Sequence, residues 1–237
     1  MKKSVSMKIA AGLTCGMGLL GAGLRYLYFQ SALEEGGFLT PMHPLQILFW
    51  ILAVGMVLLG IVSAFRLPAG RGKAPLDLRT GIVQILLGLS LGLTVPEFSP
   101  DQRFYGILRI LGWAAAAVLA ADGVMRLGKK SLGILPHSLF CVFLLLFSIS
   151  SYSGWSNVPE MERILVPALG EILMMPLACE MAFWDLGKSS EKKIFLLSVV
   201  TGFFCFASLG SGLELLLLGA GIWAVNSLVS LGKEGEM

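Results

Sequence analysis

Charge is what this sequence has least of. Asp, Glu, Lys and Arg make up only 14% of its 237 residues, against about 25% in soluble domains. That scarcity, with 56% hydrophobic residues and a mean hydropathy of +0.81, excludes a soluble globular enzyme. The net charge is only +3, and no basic stripe runs beside exposed aromatics, which excludes a nucleic-acid binder. Histidine is nearly absent, with two residues, His43 and His137. They fall at opposite ends of their apolar runs, so they cannot share a haem or a metal, and each is read as interfacial. Cysteine is sparse too. Cys15, Cys141, Cys179 and Cys205 lie inside apolar runs and are read as small hydrophobes, with no disulfide, metal site or other cofactor expected.

What the chain does have is long apolar runs. A spanning helix needs about 20 mostly apolar residues, and lipid admits only helices or closed barrels. Eight continuous runs qualify: Ile9–Tyr28, Leu45–Phe65, Gly81–Val95, Tyr105–Met125, Ile134–Tyr152, Ile164–Trp184, Ile194–Ser208 and Leu213–Leu231. The expected fold is therefore all-α, a polytopic transmembrane helical bundle. Four outward-opening hairpins cover roughly 9–65, 81–125, 134–184 and 194–231 as one domain. The last pair is broken only by Leu209-Gly210-Ser211-Gly212. A single long helix there, giving seven spans, is the alternative.

Charge placement sets the orientation. The segments before span one, between spans two and three, four and five, six and seven, and after span eight hold 14 of the 18 Lys and Arg residues, Lys2 through Lys233. Only Arg25, Arg103, Arg109 and Arg163 fall on the other side. By the positive-inside rule both termini are expected in the cytoplasm. The outer turns carry Glu34, Glu35, Glu97, Asp101, Glu160 and Glu162 instead. The N-terminal lysines and apolar run suggest a signal peptide. The run continues to Leu24 without a clean small-x-small site, so an uncleaved first helix is expected.

Within the chain, Val95-Pro96-Glu97 and Val158-Pro159-Glu160 share a local pattern. Proline at helix starts explains it without an internal repeat. Gly12 and Gly16, Gly81, Gly88 and Gly92, and the alanines from Ala114 to Ala121 form small-residue faces. These let backbones approach closely in lipid and are expected to pack within the monomer. Tyr26, Tyr28, Phe29, Tyr152 and Trp155 fit an aromatic belt.

The second half carries Tyr152-x-x-Trp155-x-x-x-Pro159 before a helix, then Lys192-Lys193 opening a hairpin with a late Trp223. The first half adds the acidic turn with Gly36-Gly37-Phe38-Leu39-Thr40-Pro41 and His43-Pro44. In these features the chain resembles a group of uncharacterised bacterial multi-pass membrane proteins. The resemblance implies a bacterial plasma membrane and no particular activity.

Ionisable groups inside the bilayer mark candidate sites, because burying them is expensive. Arg25 and Arg109 are close enough to the outer interface to snorkel, and Glu214 opens span eight there. Asp122 and Arg126 are four residues apart and pair on one helix face. Span six is the exception, with Glu171, Glu180 and the helix breakers Pro167 and Pro176. Pro176 removes a backbone donor and is expected to kink the helix and free the Ile172 carbonyl. Glu171 and Glu180 are nine residues apart, on opposite faces, so they form no acid–base dyad. Arg25, Arg109, Glu171 and Glu214 all fall in the outer half. They form either a closed ion-pair network or an outward-open pocket for a small polar or charged ligand.

Catalytic motifs are absent. Leu209-Gly210-Ser211-Gly212 lacks the leading glycine and the later histidine of an intramembrane serine protease, and no phosphate-binding G-x-x-x-x-G-K-[ST] occurs. The expected function is non-enzymatic. It is a small-molecule or ion transporter or a membrane-embedded ligand-binding subunit. The alternative is an accessory or scaffold protein packing against other membrane helices. The partners expected are the lipid bilayer, a small polar or charged ligand, and either a second copy or another membrane protein.

Overall fold

The structure is a computed structural model and describes residues 2–32, 43–67, 70–152, 161–210 and 213–232. The described residues form eight α-helices and no strand. They are α1 (Lys2–Ser31), α2 (Pro44–Arg66), α3 (Leu78–Thr94), α4 (Tyr105–Leu127), α5 (Leu135–Tyr152), α6 (Met161–Asp185), α7 (Glu191–Ala207) and α8 (Glu214–Leu231). A short 3-10 turn, Val95–Glu97, follows α3. The expected glutamate and glycine outer turn at 33–42 lies outside the described residues. So do Pro68, Trp155, the Val158-Pro159-Glu160 turn, Ser211-Gly212 and Lys233.

Six helices are long and apolar enough to cross a membrane: α1, α2, α3, α4, α6 and α8. The span of α3 includes the turn that follows it, Leu78–Glu97, whereas the apolar helix at α5 covers Leu135–Ser151 and α7, with 17 residues, spans roughly 25 Å at 1.5 Å per residue. The one-helix reading of the C-terminal apolar stretch is not what forms. α7 ends at Ala207, Gly210 takes a φ of +91° that favours glycine, and α8 folds back on α7.

Helix starts follow their local sequence. The Asp77 carboxylate accepts from the Thr80 backbone N–H while the Thr80 hydroxyl accepts from the Asp77 N–H, a capping box at the head of α3. His43 opens α2, its Nδ1 accepting from the Leu45 N–H ahead of a helix that begins with Pro44. α6 runs unbroken through Pro167 and Pro176. Two hydrogen bonds from neighbouring helices hold the turn before and at Pro176. The Thr201 hydroxyl donates to the Leu173 carbonyl at 3.0 Å, and the Cys141 thiol donates to the Met175 carbonyl at 3.8 Å.

The tightest seam joins α3 to α4. A Cβ on Gly88 would lie 2.7 Å from the Ala116 carbonyl oxygen, and one on Gly123 would lie 2.7 Å from that of Gly81. Small residues let these backbones touch, as expected. The glycines of α1 differ. Gly12 and Gly16 have nothing within 4 Å of a Cβ and sit on the exposed side of the helix. The expectation that this pair packs inside the monomer is therefore corrected, because α1 presents its other face, with Met7, Ala11, Thr14 and Gly18, to the bundle.

Contacts between connectors define two ends of the bundle. At the basic end Arg71 bridges Ser190, and the Ala74 N–H donates to the Trp184 carbonyl, tying the α2–α3 connector to the α6–α7 connector. At the acidic end the Ser150 hydroxyl donates to the Arg103 carbonyl.

Candidate functional site

One buried polar site is on α6, in the middle of the bundle. At Gly170 α6 packs against α7 and α8, where a Cβ would make ordinary contact with Leu217 at 3.5 Å and with the Phe204 backbone at 3.6 Å. Glu171 follows directly and is only 4% exposed. Its Oε2 has no hydrogen-bond partner, and no ion pair reaches it among the described residues. Fully buried Cys205 on α7 lies within its electrostatic reach.

The other outer-half candidates do not close a network around it. Arg25 is buried rather than snorkelled. Its Nη1 donates to the carbonyl of Ala207, the last residue of α7, at 2.8 Å, and its guanidinium sits 5.3 Å from the Phe29 ring centroid. A helix C-terminus presents unsatisfied carbonyls and partial negative charge, so Arg25 serves as the cap of α7. It also lines a cavity of about 70 Å³ with Tyr28, Gln46, Phe49, Trp50 and Val166. Tyr28, read as a belt residue, is buried there at 3% exposure. Arg109 does lie at the surface, donating to the Tyr105 hydroxyl at 3.1 Å and stacking on that ring. Glu214 is exposed in the first turn of α8, where the helix dipole favours a carboxylate. No ion pair joins any two of Arg25, Arg109, Glu171 and Glu214.

Glu180 belongs to the basic end. It accepts from the Ser189 hydroxyl and pairs with exposed Lys193 at 3.2 Å. The separation from Glu171 expected from helical periodicity is what the structure has.

A second cluster, at the basic end, escaped sequence reasoning except for its first pair. Asp122 and Arg126 pair along α4 as their spacing requires. Arg126 then reaches both carboxylate oxygens of Asp185, the last residue of α6, at 2.8 and 2.9 Å. His137 Nδ1 sits 3.0 Å from Asp185 Oδ2, and its Nε2 sits 3.3 Å from the Gln84 amide nitrogen. A ring donating at Nδ1 and accepting at Nε2 satisfies both contacts. Asp122 also accepts from the Leu132 N–H at 2.7 Å, anchoring a connector in which Lys129 (φ +57°) and Gly133 (φ +68°) turn the chain. Four helices, α3 to α6, thus meet on one network. His137 is 1% exposed and stacked on Trp223, so the interfacial reading of it is corrected. The available signal was a histidine two residues into a helix after a proline; nothing local pointed to Asp185.

Beside this network lies a small cavity of about 10 Å³, lined by Gln84, Arg126, His137, Trp184, Trp223 and Asn226. Trp184 Nε1, Trp223 Nε1 and Asn226 Oδ1 have no partner among the described residues. The space and the polar groups suit one buried water. On the other side of Asp185 an open vestibule of about 430 Å³ carries Lys73, Lys129, Lys130 and Ser131.

A bundle of long apolar helices that presents Leu, Ile, Val and Phe outward is an integral membrane protein. Comparison with protein-family models, with curated proteins and with solved structures gave no match.

Proposed function

We propose that this chain is a multi-pass protein of a bacterial plasma membrane that binds a small polar or charged ligand. It acts as a transporter or as the ligand-binding subunit of one, without catalysis. All eight helices cross, α5 and α7 as short spans held by their neighbours, and the basic end with both termini faces the cytoplasm. One observation carries the reading: the Glu171 carboxyl is buried mid-bundle without a counter-ion. A carboxylate whose only role is to fix helix register needs a partner to offset its burial. Glu171 has none among the described residues, which leaves it free for a proton, a cation or a donor group on a ligand. The cavity beside Arg25 supplies an aromatic-walled recess toward the acidic end of the same bundle.

The test is the thermal stability of detergent-solubilised wild type and Glu171→Gln, from mildly acidic to mildly basic pH and against a panel of small solutes. The expected result is a variant as stable as wild type, or more so, that loses a pH- or solute-dependent shift seen in wild type. A large loss of stability, with no solute response in either protein, would overturn the reading.

A second reading, a scaffold that packs against other membrane helices, is favoured by the open Gly12 and Gly16 face of α1. It predicts a second copy or another membrane helix on that face, and Gly12→Leu would abolish the association while leaving the bundle intact.

A further inference from the structure

The cysteines of this chain are not scattered. Cys141 on α5 and Cys179 on α6 place their sulfurs 3.5 Å apart. Cys179 is exposed on the outer surface of the bundle and Cys141 is half-buried behind it. Each lies six residues from the basic end of its helix, Leu135 and Asp185, which is roughly 9 Å along the axis. With α5 and α6 crossing the bilayer as proposed above, the pair faces the acyl chains, below the headgroups of the basic side. Cys15 and Cys205 belong to other helices and have no thiol neighbour, and Cys205 is fully buried.

We infer that Cys141 and Cys179 are a redox-active dithiol that closes to a disulfide when a lipid hydroperoxide reaches it from the bilayer. The inference stands independently of the ligand-binding reading. A disulfide needs its sulfurs about 2.0 Å apart, so closure from 3.5 Å asks for an approach of about 1.5 Å. The chemistry runs in two steps. The Cys179 sulfur attacks an oxygen of the hydroperoxide, the O–O bond breaks, and the thiol proton leaves with the alkoxide as an alcohol. Cys179 is now a sulfenic acid. The Cys141 sulfur then attacks the Cys179 sulfur, the S–O bond breaks, and the hydroxyl departs with the Cys141 proton as water. Two thiols are oxidised by two electrons, and one hydroperoxide is reduced to an alcohol and water.

The consequence is mechanical. The Cys141 thiol already donates to the Met175 carbonyl, in the turn that contains Pro176. A disulfide at Cys179 would staple α5 to α6 one turn further on, fixing the helix that carries Glu171 against its neighbour.

The experiment uses the full chain in lipid vesicles, treated with cumene hydroperoxide, a membrane-soluble organic hydroperoxide. Free thiols are counted by maleimide mass-tagging and links are mapped by peptide mass spectrometry. The expected result is loss of two of the four thiols with a 141–179 link within one chain. Cys141→Ser should instead leave a sulfenic acid at Cys179, trapped by dimedone, and Cys179→Ser should leave its remaining thiols intact. Retention of all four thiols in wild type would overturn the inference, as would thiol loss mapping to Cys15 or to links between chains. The wild-type peptide map decides the matter even if a serine variant fails to fold.

Discussion

The two polar regions of this bundle solve the same problem in opposite ways. At the basic end, Asp122, Arg126 and Asp185 bury their charges together and pair them between α4 and α6, with His137 of α5 hydrogen-bonded to Asp185. In mid-bundle, Glu171 is equally buried and has no such partner. A closed network is a structural device, since each member satisfies another. An unpartnered buried carboxyl is a cost to folding that some other use must justify. The comparison separates a paired network from a buried carboxyl without a counter-ion among the described residues.

The comparison is broken most directly at Arg126. Arg126→Met strands Asp122 and Asp185 inside the protein, and the expected loss is about 3–5 kcal/mol, read as a collapse of the detergent melting temperature. A melting temperature unchanged within error would mean the network contributes no stability. Next comes the α3–α4 seam, where Gly88→Leu forces a side chain into the backbone of α4. Overpacking of this kind costs about 1–3 kcal/mol or more, whereas Gly12→Leu on the open face of α1 should leave the melting temperature of the monomer unchanged.

A finer test is a pair of double-mutant cycles. Arg126 with Asp185 should show a coupling of about 0.5–3 kcal/mol, and Arg25 with Glu171 a coupling near zero. A strong Arg25–Glu171 coupling would restore the outer-half ion-pair network and remove the case for a free Glu171. The smallest effect is expected at Arg109, which is exposed and held only by Tyr105. Arg109→Gln should shift stability by no more than about 0.5 kcal/mol.

Much of this was legible in the sequence where the signal is local. The positions of the eight helices follow from apolar run length, and the Asp122–Arg126 pair from a four-residue spacing. The opposition of Glu171 and Glu180 follows from 3.6 residues per turn. The Arg25, Arg109, Glu171 and Glu214 grouping rested on depth alone. Depth orders residues along the membrane normal and says nothing of which helices are neighbours. Arg25 went to the end of α7 and Arg109 to its own tyrosine for that reason. The closeness of Cys141 to Cys179 had no sequence signature either.

By itself the sequence determined the class of protein, because hydropathy and charge act residue by residue against water and lipid. It also determined which glycines permit close approach, though not which use it: Gly81 and Gly88 do, Gly12 and Gly16 do not. Only the tertiary structure decided that Asp185 and His137, 48 residues apart, complete a network begun on α4, and that Glu171 completes none. Those outcomes depend on which helix faces which. That choice is made by the summed packing of whole surfaces, a long-range quantity that no short stretch of the chain contains.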